Sequence, residues 1–255
     1  MSTHAGAGPS RPAPLTARSV LLSVLLGSHP PELPVRALVR TAELFGISDG
    51  SARVALSRLN ADGDVVATDG VYRLSSRLLD RQADQDRAVR PAIRPWKGGW
   101  EMAVAEPAVT GGERSALGSD LARLRLAELR PGVWARPDNL VRDWPEGLTG
   151  RVLRFSARPG FDRPEPAELA GRLWDLASWA DTAAQLIRSL RAGRDPAERF
   201  AVAATIVRHL RDDPVLPPAL LPPRWPGARL RAAYDDYRRE LGDMLRREAL
   251  RPAAG

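Results

Sequence analysis

Residues 46–75 read GISDGSARVALSRLNADGDVVATDGVYRLS, and this stretch decides the fold. Gly46 sits where a left-handed residue closes a preceding helix. Ser48 has the position and chemistry of an N-cap, so a helix is predicted from Ser48 to about Ala61, ending at Asp62-Gly63. At 100° per residue, Ala52, Ala55, Leu56 and Leu59 form one apolar stripe. The opposite face gathers Gly50, Val54, Ser57 and Ala61, flanked by Arg53 and Arg58. Two strand-like runs follow, Val65–Thr68 and Val71–Ser75, separated by Asp69-Gly70. Asp-Gly between such runs signals a two-residue hairpin turn, which needs positive φ at both positions. Tyr72 and Leu74 share the face expected to pack inward, and Arg73 lies on the other.

Upstream, Thr16 caps a helix carrying Val20, Leu21, Val24 and Leu25 at helical spacing, stopped by Gly27 and His29-Pro30-Pro31. A second helix is predicted from Pro34 to Leu44. Three helices and then a hairpin is the order of a winged helix-turn-helix. Its third helix is small and polar on the outward side, so it suits close approach in a major groove. Arg53 and Arg58 have the forked donors for guanine or phosphate, and Val54 offers a methyl contact to thymine. Ser48, Ser51 and Ser57 supply hydroxyl donors, with Ser51 near the positive helix end, and Arg73 is a candidate backbone contact.

The remainder reads as α+β followed by helices. Residues 1–15 carry Pro, Gly, Ala and Ser without an apolar core and read as a disordered tail. The winged domain is placed at 16–80 and a charged linker helix at 81–98, with Pro91 and Pro95 marking its end. Strands are predicted at Trp100–Ala105, Val133–Arg136 and Val152–Ala157, with a helix at Glu113–Leu126. That order suggests a small ferredoxin-like middle domain over 99–160. A helical C-terminal domain covers 161–255, with helices near 167–191, 195–211 and 227–248. The proline-rich run from Asp213 to Pro226 is an ordered or extended connection.

Composition narrows the chemistry. The net charge of +7 suits an anionic partner, although Lys97 is the only lysine and the arginine bias also fits a GC-rich genome. With no cysteine, the chain has neither a thiolate metal site nor a thiol nucleophile. His4, His29 and His209 lie too far apart for a zinc-ligand pattern, and no cofactor is expected. The apolar run Val20–Leu26 is too short to span a bilayer, so a cytoplasmic protein without membrane attachment is expected. Seven tryptophans read either as core anchors or as an aromatic pocket for a planar ligand. Asp175 is expected to be buried and bonded to a neighbouring helix.

Several motifs extend this reading. Phe45-Gly46-Ile47-Ser48, Ala52 to Leu59 and Asp62-Gly63 resemble the start of the PaaX-type transcriptional regulators. Leu129 to Leu140 (LRPGVWARPDNL), Leu173-Trp174-Asp175-Leu176 and Leu216 to Gly227 (LPPALLPPRWPG) resemble the same family in order. The resemblance implies a homodimeric DNA-binding regulator, usually a repressor, that releases its operator on binding a ligand such as an aryl- or acyl-CoA. Trp134, Arg136, Trp174 and Trp225 lie in these motifs and are the candidate ligand-binding residues. The sequence departs from the family at the hairpin tip, where acidic Asp69 stands in place of a basic residue. The alternative reading is a metal-dependent nuclease using the middle domain. It needs clustered carboxylates, and after the first strand only Glu106 is near.

Overall fold

The computed structural model describes residues 16–107, 111–160 and 164–250, so the tail expected at 1–15 lies outside them. The described residues are α+β, with two small antiparallel sheets, and the chain divides into two compact units. One unit takes the described residues of 1–82, 189–204 and 235–255; the other takes those of 83–188 and 205–234. The helices after residue 164 contribute to both.

In the first unit, α1 (Ala17–Gly27) opens with a reciprocal cap. The Thr16 hydroxyl accepts from the Ser19 amide at 3.1 Å, and the Ser19 hydroxyl accepts from the Thr16 amide at 2.9 Å. Its far end is closed from a distance. The buried Gln82 amide donates to the carbonyls of Leu26 and Ser28, at 2.9 and 3.0 Å, which the helix leaves unpaired. After α1 come β1 (Glu32–Pro34), α2 (Val35–Glu43) and α3 (Asp49–Ala61). The hairpin β2 (Val65–Thr68) and β3 (Val71–Leu74) follows. Asp69 at φ 50° and Gly70 at φ 75° make its turn, with both residues left-handed as the Asp-Gly reading required. The strand β1 was not anticipated. It has three residues, ends in proline, and is a strand because it pairs antiparallel with β3 in the order β1-β3-β2.

Val20, Leu21, Leu38, Leu56 and Leu59 are almost wholly buried at the centre of this unit. Each such side chain stabilises the fold by about 1.5–3 kcal/mol through removal from water. Phe200 and Leu245, from the later helices, belong to the same core, and the Phe200 ring centroid lies 4.9 Å from that of Phe45. Buried Asp64 is ion-paired with both Arg18 and Arg77.

The segment read as a linker helix over 81–98 is instead α4 (Ser76–Val89). It stops two residues before Pro91, because proline restricts the residue ahead of it to extended geometry.

The second unit centres on β4 (Trp100–Ala105), α5 (Gly111–Arg123), β5 (Ala127–Arg130), β6 (Val133–Pro137) and β7 (Val152–Ala157). The sheet order is β5-β6-β4-β7, antiparallel throughout. The expected helix overran here. The helix ends at Arg123, Arg125 turns the chain at φ 65°, and β5 begins at Ala127. Ala-Glu-Leu-Arg favours helix locally, and its pairing with β6 overrides that preference.

Alternation along β4 and β6 divides the sheet into two apolar faces. Ala103 and Trp134 pack with Leu117 and Leu121 of α5. Trp100 and Ala135 pack on the other side with Ala170, Leu176, Leu216 and Leu220. Leu216 and Leu220 belong to the proline-rich connection, which is ordered and includes a 3₁₀ turn at Pro218–Leu220.

The helix expected over 167–191 is two, α6 (Pro166–Leu173) and α7 (Leu176–Ala192). Trp174 between them is extended, at φ −131° and ψ 137°. Asp175 is exposed, not buried as expected, and its carboxylate accepts from the Ser178 amide at 3.0 Å, capping α7. The chain ends in α8 (Pro196–Arg211) and α9 (Gly227–Leu250).

Candidate nucleic-acid interface

The reading of α3 turns on which of its side chains the core consumes. Ala52, Ala55, Leu56 and Leu59 are buried, as the periodicity required. Ser51, Arg53, Val54, Ser57, Arg58 and Asn60 are exposed. Val54 is 52% exposed, which is high for an aliphatic side chain. Ser48 is the N-cap: its hydroxyl oxygen accepts from the Ser51 amide at 3.3 Å and its O–H donates to the Ser51 hydroxyl oxygen at 3.0 Å. Asn60 ties the last turn to the hairpin, accepting from the Ala67 amide at 3.1 Å. Val66 of β2, next to Ala67, is also exposed.

The arginines of this surface differ in what holds them. Arg53 is clamped by Asp49 one turn earlier, with Nε to Oδ1 at 2.5 Å and Nη2 to Oδ2 at 3.2 Å. That hydrogen bond, followed by the charge of Asp49, raises the pKa of Arg53. Arg73 is ion-paired with Glu32, its register partner on β1. The Arg58 side chain has no ion pair or hydrogen bond among the described residues, and neither has that of Arg36 in the first turn of α2. Arg36 follows Val35, whose amide donates to the Gly70 carbonyl at 2.8 Å, so the start of α2 lies against the hairpin turn. The sequence pattern gave no sign of this. Val35 and Gly70 are brought together by strand pairing, not by spacing.

The four candidate ligand residues do not converge. Trp134 and Arg136 point to the α5 side of the sheet, whereas Trp174 and Trp225 belong with the opposite face. Trp134 is core. Trp225 stacks on Trp179 at 4.6 Å between centroids, and Trp179 stacks in turn on His209 at 4.5 Å.

Arg136 is fully buried and its donors are spent internally. They reach the carbonyls of Pro137, Arg125 and Val215 at 3.1, 3.3 and 3.3 Å, and Asn139 Oδ1 at 2.9 Å. Burial, reinforced by Arg142 and Arg125 nearby, pulls its pKa down to about 9. Val215, which supplies one of these carbonyls, is held at φ 50°. For a β-branched residue that conformation costs on the order of 1–3 kcal/mol. The Asp213 carboxylate stabilises the turn by accepting from the Val215 amide at 2.8 Å.

Among the described residues no group of three or more His, Asp or Glu side chains is placed to hold a metal ion, the cluster that a nuclease reading needs. No helix among them is long and apolar enough to cross a membrane.

The chain is similar to proteins of one family along both units. Residues 16–78 match the PaaX-like protein family, and residues 174–248 match the PaaX-like protein C-terminal domain. A solved structure, uncharacterized protein Rv0674 from Mycobacterium tuberculosis, is 44% identical with a TM-score of 0.83. The likeness covers 92% of this chain and 99% of that one. No curated protein matches the chain. The two matched segments carry the capped third helix with its hairpin and the Trp174 to α9 region, and the chain belongs to the PaaX-like family.

Proposed function

We propose that this chain is a sequence-specific, DNA-binding transcriptional regulator, acting as a homodimeric repressor and not as an enzyme. The observation that carries the reading is the outward face of α3. A helix anchored by four buried residues presents Ser51, Val54, Ser57 and Arg58 to solvent, small enough to enter a major groove and led by an arginine with its donors free. The three helices and the β1-β3-β2 sheet form a winged helix-turn-helix in this reading, with Ser48, Ser51 and Arg36 on phosphates. Arg53, Val54, Ser57 and Arg58 face base edges, and Arg73 supports the wing through Glu32. The second unit is read as a ferredoxin-like domain in which the second crossover helix is reduced to the 3₁₀ turn at Glu146–Leu148. Membership of the PaaX-like family supports regulation and DNA binding.

The family resemblance also suggests the effector, an aryl- or acyl-CoA that lowers affinity for the operator by favouring a dimer whose two reading helices no longer match the half-site spacing. Fluorescence anisotropy on the DNA upstream of the protein's own gene tests the core of the proposal. Affinity well above that for scrambled DNA at equal salt is expected, and equal affinity for the two would end it.

A further inference from the structure

The second unit carries a cationic surface that the DNA reading does not use. A cleft of about 430 Å³ opens at the end of the four-stranded sheet where β4 begins and β7 ends. Arg94, Lys97 and Gly99 line it on the β4 side, Asp138 follows β6, and Ser156 and Arg158 come from β7 and the residue after it. Gly98, at φ 82°, turns the chain sharply between Lys97 and β4. Arg94 is ion-paired with Asp138, so those two charges cancel locally. Lys97 and Arg158 are exposed and have no ion pair or hydrogen bond among the described residues.

Lys97 and Arg158 thus give this wall two positive charges that no carboxylate among the described residues is paired with. The Ser156 hydroxyl offers a neutral donor on the same wall. The cleft has the size of a small-molecule site. Duplex DNA, in contrast, meets proteins along a protruding helix or an extended basic stripe.

We propose that this cleft binds the phosphate groups of a small phosphorylated ligand, with Lys97 and Arg158 as the charged clamp, Ser156 as a donor, and Asp138 holding Arg94 in place. The inference is independent of the DNA reading and deepens the effector reading, since a CoA thioester carries such phosphates; the pyrophosphate test stands without that effector.

Calorimetric titration of pyrophosphate into the full-length protein at constant ionic strength tests it. Saturable binding is expected. Lys97→Ala with Arg158→Ala should weaken it about tenfold or more, because both charge-assisted contacts are lost. The control pair Arg188→Ala with Arg211→Ala removes the same charge from exposed helix positions of the same unit and should change affinity less than about twofold. Absence of saturable binding, or equal weakening by both pairs, overturns the proposal. A third arm measures duplex DNA binding by the Lys97/Arg158 variant. A loss there as large as the loss for pyrophosphate makes the cleft a DNA contact and also overturns it. The pyrophosphate arm contains no DNA, so its failure is separate from failure of the DNA reading.

Discussion

Arg58 on α3 and Arg136 on β6 are the same residue type in the same arginine-rich chain, and they stand at opposite limits of use. Arg58 is exposed, and its side chain has no partner among the described residues. Arg136 is wholly buried, and three backbone carbonyls and Asn139 take up its donors. The first is equipped to meet an anion from outside; the second holds strand β6 to the loop at Val215. Between them lie Arg53 and Arg73, which are exposed but already matched by Asp49 and Glu32. A basic composition therefore says little about where an anion binds. What matters is which guanidinium groups the fold leaves uncompensated.

The sharpest way to break the comparison is to remove Arg136. Arg136→Ala should destabilise the protein by about 3 kcal/mol, because it opens a cavity and leaves the buried Asn139 Oδ1 without its donor. Urea unfolding followed by tryptophan fluorescence reads this directly. A loss below about 1 kcal/mol would place Arg136 with the dispensable surface arginines.

Arg58→Ala is the counterpart. It should leave unfolding unchanged and cost about 1–3 kcal/mol of operator affinity, with specificity relaxed at the base it reads. If operator and scrambled DNA weaken equally, Arg58 is a phosphate contact and the base reading falls to its neighbours.

Asp49→Ala probes the intermediate class. It removes a carboxylate from the DNA-facing surface and releases Arg53, so affinity should rise by up to about 1 kcal/mol. A decrease would mean that the Asp49 clamp positions Arg53 productively.

The smallest expected effect is a pH dependence confined to the second unit. Burial lowers the pKa of His209 where it stacks on Trp179, with Nε2 3.0 Å from the Trp179 carbonyl oxygen. The unfolded chain therefore takes up a proton that the folded chain resists as pH falls through about 6.5, and stability declines below that value. Melting temperatures of wild type and His209→Gln should converge between pH 7.5 and 5.5. A parallel decline in both would assign the acid sensitivity to other groups.

How much of this was legible in the sequence follows from the range of the interactions. The caps at Thr16 and Ser48, the left-handed Gly46, the Asp-Gly turn and the buried stripe of α3 are set within a few residues, where steric and hydrogen-bonding preferences act directly. The exposed residues of α3 could be read from the same periodicity. The strands β1 and β5 could not, since each is three or four residues of weak or contrary propensity made into strand by a partner elsewhere in the chain. The break at Trp174 was hidden because the apolar spacing continues across it.

The candidate ligand residues failed to converge for a related reason. Motif membership places residues along the chain, while sheet alternation and the packing of α6 decide which face each occupies. The sequence by itself thus determined the reading helix and its hairpin. Only the tertiary structure decided which arginines remain free, because compensation of a charge depends on carboxylates and carbonyls that folding brings from distant parts of the chain.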